Sequence, residues 1–274
     1  MLSMSELKSK PSIITLTTDF GTQDWFVGVM KGVIARIHPN AHVIDITHHI
    51  TPGSIRQGAF VFNQSHLWFP KGTIHVVVVD PGVGTSRKAI VLKTHHGYCI
   101  GPDNGVFSWA LDENRVDGVF EIRPDKLNQE TSQTFHGRDL FAPAAAKLAR
   151  GEDLYDWTIP CQDFQRLNYP APQINQREIT GEILYTDRFG NMVTNLPSAQ
   201  ITPISDRFTL RKNQETEPEP TGIFKTYGLA PPGRRSLITG STGYLEWAVP
   251  NGNAALSCGW KEGDLFHLIP LRKC

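Results

Sequence analysis

With 274 residues, 39% of them hydrophobic and 20% charged, the chain has the composition of a globular protein able to bury a sizeable core. Lys plus Arg equals Asp plus Glu at 27 each, which argues against a basic nucleic-acid surface or a membrane-binding face. Apolar runs such as residues 74–79 are too short to cross a bilayer, and Cys99, Cys161, Cys258 and Cys274 are too scattered for a zinc or redox pair.

Residues 1–11 are polar, without the apolar centre of a signal peptide, and read as a frayed lead-in. Together with the scattered cysteines, expected as reduced thiols, this points to a cytoplasmic protein. Residues 13–18 form a β-rich run that ends in the turn signal Asp19-Phe20-Gly21. Asp24 is expected to cap a helix whose Phe26, Val29, Met30, Val33 and Ile37 keep helical spacing until Pro39-Asn40. A second strand is expected over 42–47. Thr51-Pro52 then reads as a helix start, with proline at the first helical position. Residues 73–80 hold four consecutive valines and predict a strand covered on both faces. Residues 88–94 and 98–101 flank His95-His96-Gly97 as a hairpin. Residues 138–150 are Ala-rich and helical, with Gly151 at the C-cap. Strands alternating with helices predict a layered α/β domain.

The pattern changes after Gly151. Residues 157–177 carry three prolines and little periodicity, as a linker does. Beyond them come short β-like runs at 182–185, 207–210, 236–239, 244–249 and 265–269, with a polar loop over 214–221 and no convincing long helix. The expected architecture is α/β: a layered N-terminal domain over 1–157, a linker over 158–177 and a smaller antiparallel β-barrel-like domain over 178–274.

Several polar residues stand where strands end, the usual position of an α/β site: Asp19, Asp80 and, before a helix, His136. In the second half Asp187, Ser241 and the turn at Asn253-Ala254 are comparable. Taken singly, an aspartate before Gly or Pro is more often a turn former, and a histidine before a helix is as often a cap. Asp19-Phe20-Gly21 and His136-Gly137-Arg138-Asp139 resemble kinase motifs, but in the wrong order and without the glycine-rich loop. The 82–87 string begins like a dinucleotide fingerprint, but Arg87 replaces its last glycine and no helix follows. Adjacent histidines at 48–49 and 95–96 point to opposite faces of a strand and make poor chelates, so no metal site is expected.

TTDFG at 17–21, DPGVGTSR at 80–87, TFHGRD at 134–139, TDRFGN at 186–191, STGY at 241–244 and NGNAA at 251–255 resemble, in order, the S-adenosyl-L-methionine (SAM) hydrolases. These hydroxide adenosyltransferases are related to fluorinase and chlorinase. The resemblance implies an N-terminal α/β domain, a C-terminal β-barrel and a homotrimer with active sites between subunits. It implies hydrolysis of SAM to adenosine and methionine, with SAM as the only small-molecule partner and no cofactor. By resemblance, Asp19 holds the ribose hydroxyls, and Asp80, Arg87 and His136 manage the attacking water. Asp187 and Ser241 match contacts to the methionine amine and carboxylate. Phe189 and Asn191 match adenine neighbours, the Asn253-Ala254 turn matches a segment that reads the adenine edge, and Tyr244 belongs to the substrate-binding STGY string. Which of the trio takes the proton stays open at this level. The alternatives are a SAM-dependent halogenase and a non-catalytic SAM-binding regulator.

Overall fold

The computed structural model describes residues 12–109, 116–127, 130–162, 164–168, 171–212, 215–216 and 220–271. The lead-in at 1–11 and Cys274 lie outside the described residues. The chain divides into two compact units between Leu167 and Asn168.

The first unit is built on a sheet of seven strands: β1 (Ile13–Thr18), β2 (His42–Thr47), β3 (Thr73–Val78), β4 (Ala89–Thr94), β5 (Gly97–Pro102), β6 (Val116–Ile122) and β7 (Thr158–Pro160). They lie in the order β2-β1-β3-β5-β4-β6-β7, parallel through β5 and antiparallel beyond it. The valine-rich β3 is buried at every position, as its sequence predicts. Its side chains alternate between two cores. Ile74, Val76 and Val78 join Ile14, Leu16, Met30, Ile34 and the alanines of the 142–149 helix. Val77 faces the other way, into a core with Phe62, Ile90, Leu92 and Phe107. Thus α1 (Phe26–Ile37) and the helix Ala142–Ala149 cover one face, and α2 (Ile55–His66) covers the other.

Three local expectations change. Asp24 does not cap α1; Trp25 occupies that position and no side chain caps it. Apolar contacts of Val27, Met30 and Ile34 stabilise that helix instead. α2 starts later than Thr51-Pro52, with Ser54 accepting a hydrogen bond from Gln57 N. Pro52 sits in the turn before it, where Gly53 at φ +74° reverses the chain. The Ala-rich helix opens with a wider turn over Gly137–Phe141, in which Ala142 N bonds to Gly137 O. Gly151 does end that helix, at φ +86°.

In the second unit, β9 (Ile179–Thr186), β10 (Met192–Pro197), β11 (Arg207–Lys212), β13 (Thr221–Phe224), β14 (Ser236–Thr239), β15 (Tyr244–Ala248) and β16 (Leu265–Pro270) form a closed barrel. The ring runs β10-β15-β14-β13-β11-β16-β9 and closes through the β9–β10 pair. Only β13 and β14 within it run parallel. Its interior holds Met192, Phe208, Leu245, Trp247 and Phe266, with Trp260 stacked on Phe266. Its described helices are short, at Ser198–Ile201 and Ala254–Cys258. Residues 158–177, read as a linker, contain β7 and the two-residue β8 (Gln173–Ile174), which join different sheets. Of the expected loop at 214–221, residues 214 and 217–219 lie outside the described residues, and β12 (Glu215–Thr216) pairs with β11.

Candidate active site

The parallel register of β1 and β3 sets Thr18 opposite Val78, so the chain leaves both strands at the same edge of the sheet. Asp19 and Asp80 emerge there close together. Asp19 Oδ2 accepts a hydrogen bond from Gly53 N at 2.8 Å, which ties the first strand's loop to the entry of α2. Burial pushes the Asp19 carboxyl above its ordinary value, Gly53 opposes that, and the Asp80 charge adds to it. A second support lies behind this loop. His48 Nδ1 meets Thr18 Oγ1 at 2.9 Å, and its Nε2 lies 3.1 Å from Asp45 Oδ1.

Asp80, Arg87 and His136 meet in space. Arg87 Nε donates to Asp80 Oδ1 at 2.9 Å, and Nη2 reaches Oδ2, in the two-pronged geometry that suits guanidinium and carboxylate. The side chains are only 10% and 5% exposed, so little water screens the pair. Arg87 Nη2 also approaches His136 Nδ1 at 2.8 Å. A guanidinium has donors and no acceptor, so Nδ1 must accept. The neutral imidazole therefore carries its proton on Nε2. Burial first, and then the Arg87 charge, hold the His136 pKa below its ordinary value, which keeps the ring neutral at pH 7.

Arg87 and His136, 49 positions apart in the chain, are brought together by a close backbone approach. Gly84 has φ +79°, and a Cβ there would lie 2.4 Å from Gln133 O. Only glycine fits both the conformation and the contact. Asp80 and His136 line a cavity of about 140 Å³ together with Phe20, Phe26, Val78, Val83 and Phe135, and Arg87 bridges the two from behind. Phe20, Phe26 and Phe135 pack on one another at centroid distances of 5.2–6.0 Å and give the cavity an aromatic wall. This wall is absent from the sequence reading, although Phe20 and Phe135 each adjoin a residue that it singled out.

In the second unit, Asp187 organises its own turn. Oδ1 accepts from Phe189 N and Asn191 N, both at 2.8 Å, and Oδ2 accepts from Asn191 Nδ2 at 2.9 Å. The Asn191 amide, assigned by resemblance to the adenine, is thus tied to Asp187. Gly190, at φ +82°, packs so tightly on Asn253 that a Cβ would lie 2.1 Å from its Cγ. Asn253 in turn caps the short helix that starts at Ala254, and its side chain accepts from Leu256 N. Phe189, Asn191, Asn253 and Ala254 are therefore neighbours, with the Phe189 ring 76% exposed. Ser241 lies in the exposed turn between β14 and β15, which Tyr244 leaves as the first residue of β15.

Residues 14–158 match the SAM hydroxide adenosyltransferase N-terminal domain, and residues 181–267 match the C-terminal domain. The chain belongs to this family. Among SAM hydroxide adenosyltransferase relatives, the (R)-S-adenosyl-L-methionine hydrolase of Salinispora arenicola is 39% identical over 92% of this chain and 95% of its own length. A fluorinase from an Actinoplanes species is more distant, at 24% identity over 67% of this chain and 71% of its own. The solved structure of a conserved protein from Thermotoga maritima superposes with a TM-score of 0.87 at 36% identity, covering 93% of this chain and 99% of that one. Among the described residues of this family member, no helix is long and apolar enough to cross a membrane.

Proposed function

We propose that this SAM hydroxide adenosyltransferase hydrolyses S-adenosyl-L-methionine, using Asp80, Arg87 and His136 to hold the attacking water in line with the ribose C5′. The observation that carries this reading is the Arg87 bridge between a carboxylate and a neutral imidazole at the mouth of an aromatic cavity. The water oxygen forms a bond to C5′, the C5′–S bond breaks, and its electron pair stays on sulfur as methionine leaves. The sulfonium is already an excellent leaving group, so the reaction asks for no metal or cofactor. Placement of the nucleophile at near-attack geometry is worth roughly 7–11 kcal/mol. With Nδ1 occupied by Arg87, His136 donates Nε2–H to the attacking oxygen and steadies its developing hydroxide character. The proton released on attack passes toward the Asp80 carboxylate.

The test is incubation with SAM in the presence of EDTA, followed by chromatography. Adenosine and methionine in equal amounts are expected. Loss of turnover on chelation, or S-adenosylhomocysteine as product, would contradict the reading. The site disfavours a halide on balance: a carboxylate about 4 Å away at an effective dielectric of about 20 repels one by roughly 4 kcal/mol, less the offset from Arg87. Molar chloride should therefore yield no 5′-chloro-5′-deoxyadenosine by mass spectrometry. A non-catalytic regulator would have no use for the trio.

The active form is proposed as a cytoplasmic homotrimer whose site takes Asp19 from one chain and Asp187 from a neighbour. Two exposed aromatic residues support an assembly that covers them: Trp25, which packs on Phe26 of the cavity wall, is 68% exposed, and the candidate residue Phe189 is 76% exposed. Asp19→Ala should raise KM for SAM by ~10- to 150-fold, as expected for loss of hydrogen bonds to a charged group worth ~1.5–3 kcal/mol. Mixing subunits of Asp19→Ala and Asp187→Ala should partly restore activity, because some interfaces regain both carboxylates. A fully active monomer in dilute solution would rule this arrangement out.

A further inference from the structure

The loop that carries Asp19 is gripped on both sides by one residue, His48, which the proposed chemistry does not use. The His48 carbonyl accepts from Gly21 N at 2.7 Å, just beyond Asp19 and Phe20. Its ring Nδ1 meets Thr18 Oγ1 at 2.9 Å, just ahead of them. Thr18 Oγ1 also accepts from Phe20 N at 3.2 Å, so the hydroxyl spans the residue between, Asp19. Thr18 is fully buried and His48 is 4% exposed, so these bonds form out of water, where they are stronger.

The outer end of this line of contacts reaches the surface. Among the described residues, the buried His48 Nε2 has no hydrogen-bond partner apart from Asp45 Oδ1, 3.1 Å away. Lys31 Nζ, from α1, donates to Asp45 Oδ2 at 2.6 Å. Burial works against ionisation of Asp45, but Lys31 and His48 outweigh it and hold the carboxyl below its ordinary value. An ionised carboxylate only accepts, so it calls for the ring proton on Nε2. Nδ1 of the neutral ring is then the acceptor, and the Thr18 hydroxyl gives its hydrogen to it. The line therefore has one direction: Phe20 N–H to Thr18, Thr18 O–H to His48 and His48 N–H to Asp45, with Lys31 closing it on the carboxylate.

We propose that His48 is a positioning residue: with its tautomer set by Asp45 and Lys31, it holds the Thr18 hydroxyl so that the Asp19 carboxylate stands where the ribose hydroxyls meet it. This rests on the hydrolase reading and extends its site to a line of residues that touch no substrate. Gly53 N fixes the Asp19 side chain at Oδ2, and the His48 line fixes the backbone from which that side chain departs. A binding carboxylate keeps its geometry only when such outer hydrogen bonds lock it.

Thr18→Val keeps the shape of the side chain and removes the hydroxyl. By calorimetry it should weaken S-adenosylhomocysteine, an unreactive probe with the same ribose, by about fivefold, the loss of one hydrogen bond of ~1 kcal/mol. Thr18→Ser restores the hydroxyl and should stay within about twofold of the wild type, less than one such bond. A role confined to folding would lower Tm without making the loss of affinity depend on Asp19. Position 19 separates the two roles. In an Asp19→Ala background, Thr18→Val should weaken the probe by less than about twofold, because the carboxylate that it positions is gone. Asp45→Leu, made at a side chain 38% exposed, leaves the buried core intact and carries the same comparison if Thr18→Val does not fold. It should weaken the probe in the same direction, again only while Asp19 is present. Unchanged affinity in both variants, or equal losses with and without Asp19, would overturn the proposal. Adenosine formation by the wild type is measured separately. Its absence would remove the hydrolase reading, whereas its presence with an affinity insensitive to Thr18 and Asp45 would remove only the positioning role.

Discussion

His136→Ala is expected to lower kcat for SAM by ~10²- to 10³-fold while KM changes little. That magnitude is typical for removing one preorganised donor aimed at developing negative charge. The donor is Nε2–H, because Arg87 holds Nδ1 at 2.8 Å. His136 is partly buried, and its neighbours Phe135 and Gly137 pack on α1, so the truncation leaves the fold intact. Acid pH should reproduce part of the defect. As pH falls through the His136 pKa, Nδ1 gains a proton, loses its hydrogen bond from Arg87 and is repelled by it. Because burial and Arg87 both depress that pKa, the acid limb of kcat/KM should lie below pH 6.5, the ordinary histidine value. If kcat for His136→Ala stays within about threefold of the wild type, well short of the expected range, the assigned role is wrong. An acid limb above 6.5 would show that the ring is not held neutral by its surroundings.

Arg87→Met should both destabilise the protein and abolish turnover. The Asp80 side chain is 5% exposed and its ion partner is Arg87, with no other basic group paired to it among the described residues. Breaking a buried pair by removing one partner typically costs ~3–5 kcal/mol, because the remaining charge is left uncompensated. For a unit of this size that corresponds to a fall in Tm of roughly 6–20 °C. Arg87 also lies over the Phe141 ring at 5.4 Å and donates to Lys88 O at 3.2 Å, contacts that Met replaces only in part. The double variant Arg87→Met/Asp80→Leu removes both charges and should recover most of the lost stability, yet it should stay inactive. Calorimetric Tm and a single-turnover assay read the two effects apart. A single variant that keeps both its Tm and its kcat would show that the bridge has neither role.

Much of the architecture is written locally. Four consecutive valines in 73–80 predict a doubly covered strand, and β3 is one because alternate residues enter the Ile14 and Phe62 cores. The hairpin over residues 95–97 and the helix end at Gly151 follow from turn chemistry and from glycine's access to positive φ. The ordered strings identify the family because chemistry-bearing residues close separate strands. Other features carry no local signal. Residues 158–160 look like linker because three residues have no period to read, and only pairing with β6 makes them a strand. The start of α2 shifted from Thr51 to Ser54 because Gly53 N serves the Asp19 carboxylate and Ser54 provides the cap.

The family resemblance singled out Asp80, Arg87 and His136, but the hydrogen bonds that join them were not legible in the chain. Which nitrogen of the His136 ring carries the proton depends on which one is occupied. That is decided by Arg87, 49 residues away, through the approach of Gly84 to Gln133. The same holds for His48, which by sequence is one of two adjacent histidines beyond a strand. Its ring is committed to Thr18, 30 residues away, only once β1 and β2 have paired. Hydrophobic period and turn chemistry act over a few residues and so can be read from the sequence. Tautomer and desolvation arise between segments far apart in the chain, so only the tertiary structure decides them.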